Sequence, residues 1–161
     1  MKNKARLKAT PKKPLTYEVA LSRMAAFCSL SEHCESEVRE RLQKAAVSVD
    51  DADRIIDYLY EEKYLDVGRY CRAFSRDRLR FAHWGRIKIQ QALRQKGLPD
   101  RDIRQALDEL PEDEYRSILR STLQQKLRSL PEGEDDFTCR GKLLRFATGR
   151  GFTMDEILDN L

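Results

Sequence analysis

A short pattern recurs along this chain and limits what the chain can fold into. Residues 86–107 read RIKIQQALRQKGLPDRDIRQAL, and residues 140–161 read RGKLLRFATGRGFTMDEILDNL. Aligned on Gly97 and Gly151, each has an apolar pair four residues apart, Ile89/Leu93 and Leu143/Ala147. Each follows the glycine with an apolar residue, Leu98 or Phe152, and closes on a second pair, Ile103/Leu107 or Ile157/Leu161. A worn third copy lies upstream as Val38/Leu42, Val47 and Ile55/Leu59, with Ala46 where the glycine would stand and three extra residues in the turn. Spacings of four place both apolar residues on one helix face. A glycine directly after such a stretch stops the helix, because it adopts the left-handed conformation cheaply. Each copy therefore predicts helix, glycine turn, helix. Three copies at roughly fifty-residue spacing indicate a helical repeat protein, an architecture that binds partners more often than it catalyses.

The first helix of each unit comes from the segments between the copies. The expected helices cover about 16–28, 36–45, 50–60, 66–80, 86–96, 99–110, 111–128, 136–148 and 153–161. Thr16, Ser36, Asp66 and Thr153 serve as N-caps, and Pro99 and Pro111 mark helix starts. The chain is thus read as all-α, with three tandem three-helix pseudo-repeats at 16–62, 63–110 and 111–161. No segment shows the strict alternation of a half-buried strand. Forty per cent apolar and 36% charged residues suit an elongated molecule with a thin core.

Charge is segregated. Residues 1–15 carry six Lys/Arg and no acid, and with Pro11 and Pro14 they read as a flexible basic arm. Residues 69–96 carry nine Lys/Arg and one acid, Asp77, whereas the remainder sums to −10. A basic arm and a basic middle on an acidic scaffold predict a polyanion or an acidic protein surface as partner. No apolar run approaches the roughly 20 residues that span a bilayer, so no membrane partner is expected. The basic N-terminus lacks the apolar core of a secretory signal, and a cytoplasmic location follows as the expectation.

Nothing points to an active site. The two histidines, His33 and His83, have no carboxylate and nucleophile at a recognisable spacing, and no phosphate loop, nucleophile elbow or zinc-protease motif occurs. Cys28, Cys34, Cys71 and Cys139 lack paired metal-ligand spacing and read as buried or idle thiols. Neither a cofactor nor a metal is expected. The basic middle is more informative. On a helix, Arg69, Arg72, Arg76 and Arg80 fall within about 80° of one another, opposite Val67, Tyr70, Cys71, Phe74 and Phe81. Within residues 69–96 only Asp77 is available to relieve their repulsion. Arginine suits bidentate contact with carboxylate or phosphate. The candidate partner-binding set is this row together with Trp84, Arg86, Lys88, Arg94 and Lys96. A solvated basic face is the alternative reading of the row, and Trp84 reads equally as a wedge between helices or as an interface anchor.

Four pieces in order resemble the RecX family of bacterial regulatory proteins. They are Ser36-Glu37-Val38 with Leu42; Tyr64-Leu65-Asp66 with Arg69-Tyr70 and Phe74; Gly85 with Ile89, Leu93, Lys96, Gly97 and Leu98; and Arg150-Gly151-Phe152 with Ile157. The likeness covers roughly 16–161. Lys63 and Ala46 stand where the family pattern has glycine, Val67 where it has a second acid, and Ala92 where it has glutamate. The resemblance implies an all-helical, curved, monomeric protein lying in the groove of the filament that the RecA recombinase forms on DNA. There it would bridge protomers and restrain ATP hydrolysis, filament growth and strand exchange, in recombination, DNA repair and the SOS response. The same arginines leave a second reading open, a stand-alone protein binding the DNA phosphate backbone without sequence preference.

Overall fold

The structure, a computed structural model, describes residues 13–161, and every regular element among them is an α-helix. Most of the expected basic arm, residues 1–12, lies outside the described residues. The chain divides into two compact units, Met1–Leu65 and Asp66–Leu161.

The first unit holds α1 (Tyr17–Leu30), α2 (Glu35–Lys44) and α3 (Val49–Glu61). Thr16 caps α1 through the Val19 amide at 3.5 Å, and Ser48 caps α3 through the Asp51 amide at 3.2 Å. Ala20, Met24, Val38, Leu42, Ile55 and Leu59 form the core. The cap of α2 is Cys34 rather than the expected Ser36, because Glu37 reaches back to the Cys34 amide at 3.3 Å. The expectation that His33 lacks a nearby carboxylate is also corrected. Its Nδ1 lies 2.8 Å from Glu37 Oε2 and its Nε2 lies 2.9 Å from Ser31 Oγ. The turn before α2 brings these short spacings together, and the group closes the helix start.

The second unit holds α4 (Val67–Ala82), α5 (Arg86–Gln95), α6 (Asp100–Asp108), α7 (Glu112–Arg128), α8 (Asp136–Gly149) and α9 (Met154–Leu158). Asp66 caps α4 through the Arg69 amide at 2.7 Å, and Asp135 caps α8 through the Thr138 amide at 2.9 Å. Thr153 and Glu156 form a reciprocal capping box on α9. The core gathers Ile89, Leu93, Ile103, Leu107, Tyr115, Leu119, Leu143, Phe152 and Ile157. Leu161, expected to close the last apolar pair, is 47% exposed because α9 stops at Leu158. Phe152, fully buried, is the large apolar side chain of that turn.

The repeat is visible in the backbone. At each of the three turns a residue in the left-handed region ends a helix: Ala46 at φ 57°, Gly97 at φ 79° and Gly151 at φ 94°. The following amide returns to a carbonyl five residues back in every copy: Val47 to Leu42 at 3.1 Å, Leu98 to Leu93 at 3.3 Å, and Phe152 to Ala147 at 3.2 Å. The apolar residue after the turn is thereby folded under its own helix, which is the Schellman arrangement. Ala46 marks the worn copy as a structural equivalent of the two glycine turns.

Candidate partner-binding face

The arginine row lies along α4, whose inward face is Tyr70, Cys71, Ser75 and Leu79. Helix geometry makes α4 about 24 Å long and α6 only about 14 Å, so the last turn of α4 extends past its main packing partner. Phe81, expected to pack inward, is therefore 81% exposed. The neighbouring Arg78 is also exposed although its position faces inward.

The structure distributes the expected site residues over different environments. Arg76 is exposed and makes no ion pair among the described residues. Arg69 and Arg72 are half-buried beside it on the same face, with Arg72 Nε 3.9 Å from Glu109. Arg80 is forked onto Glu114 of α7 at 2.6 and 3.1 Å. That pairing raises the arginine's pKa and holds the Glu114 carboxyl below its usual range. Arg94 pairs with Asp100 at 2.7 Å, which lowers the pKa of that acid. Lys96 is half-buried at the end of α5. The sequence-based view that only Asp77 could relieve the row is corrected: Glu109 and Glu114, both distant in the chain, face it.

Arg86 is an internal member of the unit. Its guanidinium reaches Glu112 at 2.9 Å and Glu156 at 3.3 Å and lies 3.9 Å over the Tyr115 ring. The Tyr115 hydroxyl accepts the Arg86 amide at 3.1 Å and donates to Glu156 at 3.2 Å. Burial drives the Tyr115 pKa upward, so the hydroxyl remains a donor.

Trp84 is half-buried between two cations, with Arg78 at 5.0 Å and Lys88 at 4.8 Å from its ring. Arg78 also covers Phe74 at 4.8 Å. Sequence reasoning missed Arg78 because it falls outside the row. The spacing Phe74, Arg78, Phe81, which is i, i+4, i+7, carried the signal of a second basic and aromatic face.

The start of α5 is closed by backbone from the α8–α9 turn. The Gly85 amide donates to Arg150 O at 2.8 Å and the Ile87 amide to Gly151 O at 3.1 Å. Carbonyls ending one helix thus satisfy orphan amides starting another. The approach requires two glycines. A Cβ on Gly85 would sit 2.3 Å from Gly151 O, and one on Gly151 would sit 2.4 Å from Lys88 Cβ. Arg150 adds a 2.6 Å bond to Ala82 O at the end of α4.

Comparison with known proteins fixes the lineage. The model of the second three-helix domain of RecX matches residues 68–107. A protein of Prosthecochloris aestuarii named regulatory protein RecX is 31% identical over 150 residues, which are 88% of this chain and 95% of that one. The chain belongs to the RecX family. A regulatory protein RecX of Clostridium botulinum is 32% identical over 126 residues, 78% of this chain. The match spans 58% of that longer relative. A crystal structure of a regulatory protein RecX superposes with a TM-score of 0.80 over 89% of this chain and 72% of that one, at 21% identity. That likeness shows the all-helical RecX fold.

Family membership clarifies the motif residues. Gly85 and Arg150-Gly151-Phe152, two pieces of the RecX resemblance far apart in sequence, meet in the joint just described. The two positions where this chain replaces a family glycine, Ala46 and Lys63, retain the left-handed backbone at φ 57° and 58°. The turns persist where their usual residue does not. No helix among the described residues is long and apolar enough to cross a membrane.

Proposed function

We propose that this chain is a non-enzymatic cytoplasmic regulator of a RecA-type recombinase. In this reading it binds the recombinase filament on DNA and restrains its ATP hydrolysis, growth and strand exchange. Support comes from membership in a family whose relatives are named regulatory proteins and from the α4 face. The observation that carries it is Arg76. It projects without an ion pair among the described residues, flanked by Arg69 and Arg72, while Arg80 and Arg86 hold the unit together. Arg72 and Arg76 are the contact residues of this reading, and Lys88 and Trp84 extend the surface.

The test is Arg72→Glu with Arg76→Glu. Helicity and melting temperature should change little, since Arg76 is exposed and the half-buried Arg72 makes only a long, solvent-screened contact with Glu109. Inhibition of recombinase ATPase should weaken at least tenfold, because lost charged contacts at an interface cost about 2 kcal/mol or more. A folded double variant that inhibits like the parent refutes the role of this face.

The cation–Trp84–cation cluster favours one second reading, direct contact with the DNA phosphate backbone. That reading requires binding to bare DNA with a steep salt dependence. It further requires loss of that binding in Arg78→Glu with Lys88→Glu.

A further inference from the structure

The first unit is acidic as a whole. Residues 16–65 carry eleven Asp/Glu and six Lys/Arg. Three of those six, Arg23, Arg41 and Lys44, nevertheless converge with Lys13 on one open groove of about 500 Å³. No carboxylate lines it. Arg41 and Lys44 sit in the last turn of α2, where cations complement the helix dipole. That accounts for two of the four, but not for Arg23 in the middle of α1 or for Lys13. Lys44 shares its charge with Glu40 at 2.6 Å. Lys13, Arg23 and Arg41 make no ion pair among the described residues.

The floor of the groove is apolar and held in place. It consists of Leu15, Met24 and Phe27. The Leu15 amide is tied to Ala45 O at 3.4 Å. Arg41 lies 3.8 Å from the Phe27 ring centroid, and His33 stacks on the same ring at 3.6 Å. Two planar groups at that distance occupy opposite faces of the ring. His33 is itself held by Ser31 and Glu37. Phe27 therefore presents a fixed edge to the groove and no free face.

We propose that this groove docks an acidic amphipathic helix of a partner protein. Carboxylates on the helix meet the cationic rim, and its aliphatic side chains enter over Leu15, Met24 and Phe27, the helix-in-groove mode of recognition. A nucleic acid fits poorly, because base stacking needs an open aromatic face and both faces of Phe27 are taken. The chain's own residues 1–12 also fit poorly: they carry five Lys/Arg and no acid, the same sign as the rim. The groove lies in the first unit and the arginine row in the second, so the two surfaces are tested separately.

The test uses the full chain and a short fluorescein-labelled peptide of Glu, Ala and Leu, with Leu at i, i+3, i+4 and i+7 and Glu on the remaining face. Fluorescence anisotropy should show saturable binding. Lys13→Glu with Arg23→Glu, both at unpaired surface positions and checked for helicity, should weaken it at least tenfold. Replacing Leu by Ser in the peptide should do the same. Arg72→Glu with Arg76→Glu should leave peptide affinity unchanged. Equal binding of the Leu-free peptide, or equal displacement by a single-stranded oligonucleotide, would show a mere polyanion site and overturn the proposal. So would peptide affinity that survives Lys13→Glu with Arg23→Glu, or that is lost with the α4 arginines.

Discussion

The three equivalent turns make a graded experiment. Gly97 and Gly151 share a backbone conformation but not surroundings. A Cβ on Gly97 meets nothing within 4 Å. Gly97→Ala therefore carries only the left-handed penalty of about 1–2 kcal/mol, offset by about 0.4–1 kcal/mol from the stiffer unfolded chain. The net loss is about 1 kcal/mol. Gly151→Ala carries that penalty and an overlap, since the new methyl would sit 2.4 Å from Lys88 Cβ and 2.5 Å from Lys88 N. Relief requires the two backbones to separate, with loss of the Gly85–Arg150 and Ile87–Gly151 bonds at about 1 kcal/mol each. With residual strain the expected loss is about 3–5 kcal/mol. Ala46→Gly runs the other way. It removes a left-handed alanine at an exposed site and should stabilise the first unit by about 0.5–1 kcal/mol. Urea titrations at constant m-value measure all three. Trp84, the single tryptophan, reports the second unit, and far-UV circular dichroism reports both units, so the first is read from the helicity loss that has no tryptophan counterpart. Equal losses for Gly97→Ala and Gly151→Ala would refute the backbone joint, and a destabilised Ala46→Gly would refute the equivalence of the turns.

Leu93→Ala, at a fully buried position, should lower the stability of the second unit by about 2–5 kcal/mol in the same titration. Thiol labelling of the native protein should begin at half-buried Cys139, with Cys28, Cys34 and Cys71 reacting only on unfolding; burial pushes the Cys28 thiol up to about 11, so little thiolate forms at neutral pH. Glu112 is held below its ordinary value by bonds from Arg86 and Arg116, and Glu114 by its bond from Arg80. Their stabilisation is complete above the ordinary carboxylate value of 4.5 and is lost as pH falls through the lower folded values; melting curves against pH should show this, and Glu112→Gln should flatten the acid limb. Tyr60, pushed up to about 12 by burial and then by Glu35, stabilises fully below its ordinary 10 and loses that contribution as pH rises through about 12. An alkaline melting profile unchanged by Tyr60→Phe would refute that coupling.

Local signals were the legible ones. Spacings of four, a glycine or its stand-in, and capping residues define helices and turns within a few residues, and Ala46 was readable as a turn from its flanking pairs alone. What depends on distant partners was not readable. Arg80 and Glu114 are 34 positions apart, and Arg86 and Glu156 are 70 apart. A row of like charges therefore looked unrelieved when part of it was internal wiring. Phe81 and Leu161 were misplaced for one reason: helical periodicity assigns a direction to a side chain but does not say where the packing partner ends. The His33 cluster escaped notice because it lies in a turn, where no fixed period relates residues two and four apart. The groove was invisible because its four cations come from three separate segments.

The Gly85–Gly151 contact also bears on how this chain can be divided. The RecX domain match covers 68–107, which invites excision of α4–α6 as a stand-alone piece. Such a fragment would leave the amides of Gly85, Arg86 and Ile87 without the acceptors supplied by Arg150, Tyr115 and Gly151. It would begin α5 with a frayed end and uncover the surface beneath Tyr115. Conversely, a piece starting at α7 would expose the carbonyls of its own final turn. The self-sufficient unit of exchange, in a chimera or a truncation series, runs from Asp66 to the α9 segment. A crossover placed between α6 and α7 takes Gly85 from one parent and Gly151 from the other, so both parents must carry glycine at the two positions.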